Sequence, residues 1–457
     1  MSASRPSSPA AAPDIGQWQA AGERARVAHP ELDWLGAERD AALGRVLSRG
    51  LPDTRVEDWR YTSLAEFSAR SAQYLAAVEV AEAPTAGQAP GQPLVTAGDT
   101  ADAAVLSIEI VNGLLRTPVV ATPPGLAVHS LRHATPALQS QGEALLRAAA
   151  AAESDTVPNL VDLNMALLRD VVLITVAAGA RIAQPVHVTL RSSTPRWLAQ
   201  PRLLVDLGAT SSLTLILEHT GAEGALCNAV TQIELAGQAR FELIRIQALP
   251  DDGMLTENTR LNLAAGAQAV VTSVDLGSRL SRQDLNVILT GQGAEATVHG
   301  VFLADGRRHI DNHTRLEHSA PQTVSREYIR GIADDHGHGV FNGKIIVQPG
   351  AAGSNAALTN RNLLLTTTAE LDTKPELEIY ADDVRCSHGA TTGQLDANAL
   401  FYLRSRGLDA AAARQVLTTA FLRQGLNGIS LPALRARLDA QLQARLRGPG
   451  AAPGGPA

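Results

Sequence analysis

The feature that most constrains this chain is a recurrence. In its middle third, short apolar runs end in a glycine that usually has an alanine beside it. The instances are Val176-Ala177-Ala178-Gly179-Ala180, Val205-Asp206-Leu207-Gly208-Ala209 and Ile233-Glu234-Leu235-Ala236-Gly237, then Leu261-Asn262-Leu263-Ala264-Ala265-Gly266-Ala267 and Val287-Ile288-Leu289-Thr290-Gly291-Gln292-Gly293-Ala294. The glycines at 179, 208, 237, 266 and 293 are separated by 29, 29, 29 and 27 residues. A fixed period of this size marks a repeat architecture whose units stack and bury one another's apolar faces. Each repeat holds two strand-like runs and punctuating turns, which leaves no room for a long helix. The nearly unbroken run Leu213-Thr214-Leu215-Ile216-Leu217 reads as a strand buried on both faces. The spacing therefore predicts a mainly β fold, a right-handed parallel β-helix over 160–395. The series has a gap: Gly350-Ala351 lies 57 residues after Gly293 with no glycine near 321, and the next Gly-Ala pair is Gly389-Ala390. The sequence alone does not explain that break.

Composition agrees with thin, repetitive layers. Aromatic residues are only 3% of 457, while 45% hydrophobic and 19% charged residues belong to a globular chain and not a disordered one. A net charge of −7 without a basic run argues against a nucleic-acid partner. No apolar run approaches a membrane span, and the first residues lack the apolar segment of a secretory signal, so a cytoplasmic location is expected. The two cysteines, Cys227 and Cys386, cannot frame disulfides or supply four thiolates to a cluster.

Seven segments are expected. A disordered tail over 1–13 precedes an N-terminal helical domain over 14–82, with a break at Pro30 and a stop at Gly50. A Pro/Gly-rich linker over 83–103 and a mixed segment over 104–159 lead into the β-helix. A C-terminal helical domain over 396–447 follows, its first two helices opened by Asp396 and Asp409 as N-caps, and a disordered tail covers 448–457. The apolar faces of the C-terminal helices need cover from the β-helix or from a partner.

Chemistry-bearing residues are few. In Lys374–Gly407 a strand turns at Asp382-Asp383 and presents Cys386 and His388, which share one face if the chain stays extended. A thiolate beside an imidazole suits iron, zinc or copper(I), but two ligands do not close a site. The neighbours Asp382, Asp383 and Arg385 favour a surface or interface position. His309, His313, His318, His336 and His338 match no closed metal site and are read as turn or inter-coil hydrogen-bonding residues. Gly343-Lys344 fails as a phosphate loop, since Ile345 stands where Ser or Thr is required, so no ATP is expected to bind this chain. Trp59 and Tyr61, in Arg55-Val56-Glu57-Asp58-Trp59-Arg60-Tyr61-Thr62, read as packing residues.

Several stretches nonetheless carry a resemblance. They are Phe341-Asn342-Gly343-Lys344-Ile345, Gln348-Pro349-Gly350, Asn360-Arg361-Asn362-Leu363-Leu364-Leu365, Lys374-Pro375-Glu376-Leu377-Glu378-Ile379, Cys386-Ser387-His388-Gly389-Ala390-Thr391 and Leu400-Phe401-Tyr402-Leu403-Arg404-Ser405-Arg406-Gly407. Together they resemble the SufB/SufD family of iron–sulfur cluster assembly proteins. The 55–62 motif and the scarcity of cysteine are similar to the SufD branch. The resemblance implies a non-catalytic subunit of the SUF machinery that pairs with a SufB-like paralogue and is driven by a SufC-like ABC-type ATPase. It implies that His388, with Cys386 as a second candidate, binds iron or a nascent iron–sulfur cluster transiently, the partner chain completing the coordination. It also implies ATPase docking on the C-terminal helices, for which Phe401, Leu403, Val416, Leu417 and Phe421 are the expected contacts. The chain in isolation is a candidate homodimer. A SufB-type scaffold and a β-helix carbohydrate-active enzyme are the alternatives; the second lacks clustered carboxylates and a secretion signal.

Overall fold

The computed structural model describes residues 15–76, 105–116, 122–150, 160–193 and 197–447. The predicted tails (1–13 and 448–457) and linker (83–103) lie outside these residues, as do parts of 14–82 and 104–159.

The chain winds as a parallel β-solenoid of two facing ten-stranded sheets, flanked by helices at both ends of the sequence. The first sheet runs from Leu114–Leu115 and Leu106–Val111 through Val186–Ser192 and Ser212–Gly221 to Arg385–Gly393. The second runs from Leu126–Ser130 and Val172–Val176 to Glu370–Ile379. Successive coils stack residue on residue: Leu261, Val287, Leu316 and Ile345 are consecutive register partners in the second sheet. Leu243, Val271 and Val298 are consecutive partners in the first. All seven belong to the core between the sheets. One row of small or branched aliphatic side chains per register position explains why so few aromatics are needed.

The turns from the second sheet into the first account for both the glycine period and its apparent break. One equivalent position in each turn takes a left-handed backbone: Gly179, Thr210, Gln238, Gly266, Gly293, Gln322, Gly353 and Asp383, with φ between 54° and 75°; Gly350 is a second such residue in its turn. The position is therefore continuous, but glycine fills only half of it. Gln322 occupies the coil that lacks a glycine near 321, and Asp383 occupies the last coil. Gly208 and Gly291 serve a different need, close stacking. A Cβ on Gly208 would lie 2.5 Å from the Ala178 nitrogen, and one on Gly291 would lie 1.9 Å from the Ala265 nitrogen. The sequence period thus merges two requirements that fall a few residues apart, positive φ at Gly179, Gly266 and Gly293 and close approach at Gly208 and Gly291, while Gly237 shows neither.

The helices cover the outer faces. Helices Ile15–Ala28, Gly36–Arg49 and Ala65–Ala76 belong to the N-terminal part, and Trp18, Trp59, Phe67 and Leu163 pack with Leu198, Leu226, Met254 and Leu280 of the second sheet. Helices Ala410–Arg423 and Pro432–Leu446 lay Leu422, Leu434, Leu438 and Leu442 on Ile216, Ile244, Val274 and Val301 of the first sheet. The C-terminal helices therefore find their cover on the flank of the solenoid. This also gives Leu213–Leu217 its unbroken apolar pattern, with Leu213, Leu215 and Leu217 inside and Ile216 beneath the helices. Among the described residues no helix is long and apolar enough to cross a membrane.

Asp396 caps helix Ala397–Ser405 by accepting a 2.8 Å bond from the Asn398 N–H, and Asp409 caps Ala410–Arg423 by accepting one from Ala412. Asp396→Ala is expected to cost about 1 kcal/mol locally. Hydrogen exchange should detect it as faster exchange confined to the first turn of that helix.

Candidate functional site

The C-terminal coil differs from those before it. Its two strands, Glu370–Ile379 and Arg385–Gly393, are the outermost of their sheets and each pairs on one side only. Cys386 stacks on Ala356 and His388 on Leu358, two core residues whose side chains point between the sheets. The strand is extended across both residues, so thiol and imidazole share the inward-facing side, as the period-2 reading expects. With no further coil above them among the described residues, they stand at the open mouth of the core. Leu371, Leu377, Ala381, Val384 and Cys386 are half-buried there against the interior cluster, while His388 is exposed. Burial pushes the Cys386 thiol up, and the Ala356 backbone offsets this in part. Asp382, Asp383 and Arg385 are exposed around the mouth, next to Ile379 and Tyr380.

The 55–62 motif is fastened to the solenoid beside this end. Trp59 is buried with the Arg282 guanidinium 4.2 Å from its ring centre, and Arg282 donates to the Asp58 carbonyl at 2.8 Å. Thr62 lies 2.7 Å from His309 Nε2 and donates to Asp311 at 2.5 Å. Glu57 accepts from Lys374 Nζ at 2.6 Å, and Lys374 also reaches Glu376 at 2.8 Å. Those two carboxylates, Glu376 first, raise the Lys374 pKa. Trp59 is a packing residue as predicted, whereas Tyr61 is exposed. Its place on the second sheet could not be read from the sequence, because the contacts lie more than 200 residues away.

The histidine group disperses. His318 is buried between Thr323 at 2.7 Å and Ser325 at 2.8 Å, and burial pushes its pKa down to about 4. His309, also pushed down to about 4 by burial, meets Thr62. His313 pairs with Asp311 at 3.0 Å, and His336 is exposed. His338 lies 2.7 Å from Asp372.

Sequence reasoning missed a charged cluster inside the coil. Arg245 is fully buried between Glu257 at 2.8 Å and Asp275 at 2.5 Å, with His219 3.2 Å from Glu257. Burial opposes the charge on Glu257, but His219 and Arg245 outweigh it and hold the carboxyl well below its usual range. Cys227 faces the same interior, and burial pushes its thiol up to about 12, which makes it an inert core residue. The only available signal was strand alternation, which places Arg245 on the same face as Phe241 and Leu243.

Of the residues predicted to meet a partner, Phe401 is 75% and Val416 46% exposed, joined by Tyr402 at 56%. Leu403 and Leu417 are half-buried. Phe421 packs against the first sheet and beneath the Arg330 guanidinium.

Comparison with known proteins agrees with this arrangement. Residues 190–421 match the SUF system FeS cluster assembly SufBD core domain, and residues 21–188 match the SufBD protein N-terminal region. An iron–sulfur cluster assembly SufBD family protein of Synechocystis is 30% identical over 434 residues, covering 92% of this chain and 93% of its own length. The iron–sulfur cluster assembly protein SufD of Escherichia coli is 32% identical over 292 residues, covering 63% of this chain and 69% of its own. Two sheets wound in parallel, helices laid on both flanks and family models matching nearly end to end place the chain in the SufBD family of iron–sulfur cluster assembly proteins.

Proposed function

We propose that this chain is a SufD-type, non-catalytic subunit of a cytoplasmic SUF assembly complex. The uncovered terminal coil meets a SufB-like paralogue, and iron or a nascent iron–sulfur cluster is the cargo held between the two chains. His388 supplies the principal ligand from this side and Cys386 a second, with the partner providing the rest. A SufC-like ATPase docks on the C-terminal helices, with Phe401 and Val416 as the most exposed contacts and Leu403, Leu417 and Phe421 behind them. Its motion reaches the mouth through helix Ala397–Ser405, which follows the Arg385–Gly393 strand directly.

The observation that carries this reading is the position of His388. It occupies a register site that is sealed in the preceding coil, where Leu358 is 2% exposed, yet it is itself open at the solenoid's end. An imidazole and a thiol at an unpaired edge give a half-set of borderline-soft ligands that a second chain can complete. His388→Ala is expected to leave the fold and partner retention intact while lowering the iron and acid-labile sulfide bound per complex by about tenfold or more. Unchanged loading in an intact complex removes the assignment.

A further inference from the structure

We propose that His338, Glu370 and Asp372 form a binding site for a divalent first-row transition cation on the outer face of the second sheet. The site lies apart from Cys386 and His388, and its argument does not depend on the role proposed for them. A histidine and two carboxylates from neighbouring strands converge because the coil stacks in register. His338 opens strand His338–Val347 and is the direct partner of Glu370, which opens Glu370–Ile379. Asp372, two residues further along, projects from the same side of that strand. Phe341, Ile345, Leu371 and Leu377 belong to or pack against the interior cluster, so the alternate positions 338, 370 and 372 face outward.

One ligand atom from each of the three lies within 4.8 Å of the other two. A hydrogen-bonded His–Asp pair would account for the 2.7 Å approach of His338 to Asp372, but not for Glu370. Glu370 brings a second carboxylate to the same imidazole, and among the described residues no lysine or arginine pairs with either acid. Two carboxylates around one imidazole are poorly balanced alone and are balanced by a dication. His338 and Asp372 are half-buried and Glu370 is exposed, which holds two donors firmly and leaves the third side open for entry and for water ligands. The strand ladder beneath fixes the spacing.

The donor set selects the metal class. An imidazole with two carboxylates suits Fe²⁺, Mn²⁺ or Zn²⁺; the nitrogen donor disfavours Mg²⁺ and Ca²⁺, and the lack of a thiolate disfavours Cu⁺. His338 also borders a cavity of about 380 Å³ that contains Arg279, Arg307 and Arg308. Two of these are paired elsewhere, Arg308 with Asp305 and Asp251 and Arg279 with Glu66, while Arg307 is exposed.

The test titrates the full chain with Co²⁺ as a spectroscopic probe. It uses the Cys386→Ser/His388→Ala background, so that the thiol–imidazole pair cannot contribute. One bound Co²⁺ per chain is expected to survive a large excess of Mg²⁺. Adding Glu370→Gln or Asp372→Asn, both close in shape to the native residues, should weaken binding by about tenfold or more. Failure of the background protein to bind Co²⁺, or binding that neither substitution alters, overturns the proposal.

Discussion

Arg245→Met is expected to cost on the order of 3–5 kcal/mol of stability at neutral pH, because it strands two carboxylates inside the solenoid. Glu257 and Asp275 lie 2.8 and 2.5 Å from the guanidinium, and all three side chains are at most 1% exposed. Methionine cannot donate, so Asp275 loses its guanidinium partner and Glu257 keeps only His219 beside it. The measurement is urea-induced unfolding of the variant alongside Arg245→Met/Glu257→Gln/Asp275→Asn. The triple variant, which removes both carboxylates along with the guanidinium, should recover much of the loss. An equal loss in both proteins would assign the effect to packing instead of charge. Glu257 is held below its unfolded pKa, so its contribution is present above the unfolded value and fades as the pH falls through the folded one. The deficit of Arg245→Met should therefore narrow on acidification.

Glu327→Gln should do the reverse, and stabilise. Glu327 sits fully buried in the strand Val324–Ala333, where burial pushes its carboxyl from 4.5 up to about 7 and the Thr314 hydroxyl pulls weakly the other way. Because the folded pKa is the higher one, the contribution of Glu327 to stability is most favourable below about pH 4.5 and declines as the pH rises to about 7. A shift of that size corresponds to a cost on the order of 3 kcal/mol once the buried group has ionised. Glutamine keeps the shape without the charge. Its advantage over wild type should be negligible at pH 4 and approach that figure at pH 8. A pH-independent difference between the two proteins would exclude ionisation of Glu327 as the cause.

The solenoid was legible because its defining constraint is local. A turn needing a left-handed residue or a close backbone approach favours glycine, and where glycine is used the spacing follows. The break after Gly293 arose because Gln322 and Asp383 tolerate the same left-handed backbone as Gly179 and Gly353, so the geometry continued while the letter changed. Cys386 and His388 could be placed on one face from strand alternation alone. That the face points inward, at an uncovered mouth, depended on knowing that no coil follows Glu370–Ile379 and Arg385–Gly393. The fastening of Trp59 and Thr62 and the convergence of His338 with Glu370 and Asp372 were not legible. Both require exact coil lengths, and these vary by a few residues from one turn to the next. One signal was available: aligning His338–Val347 on Glu370–Ile379 sets a histidine opposite a glutamate.

The two ends of the solenoid are unlike, and that bears on assembly size. At the early end each sheet closes with a short antiparallel strand, Leu114–Leu115 in one and Leu126–Ser130 in the other, which reverses the ladder and blunts it as a template. At the late end both sheets stop in parallel strands with one side unpaired. A stack of such chains joined head to tail would have to set the parallel strands of a late end against the antiparallel strands that close an early end. Two late ends match each other better, so association through them favours a pair over the open-ended growth that threatens exposed β-edges.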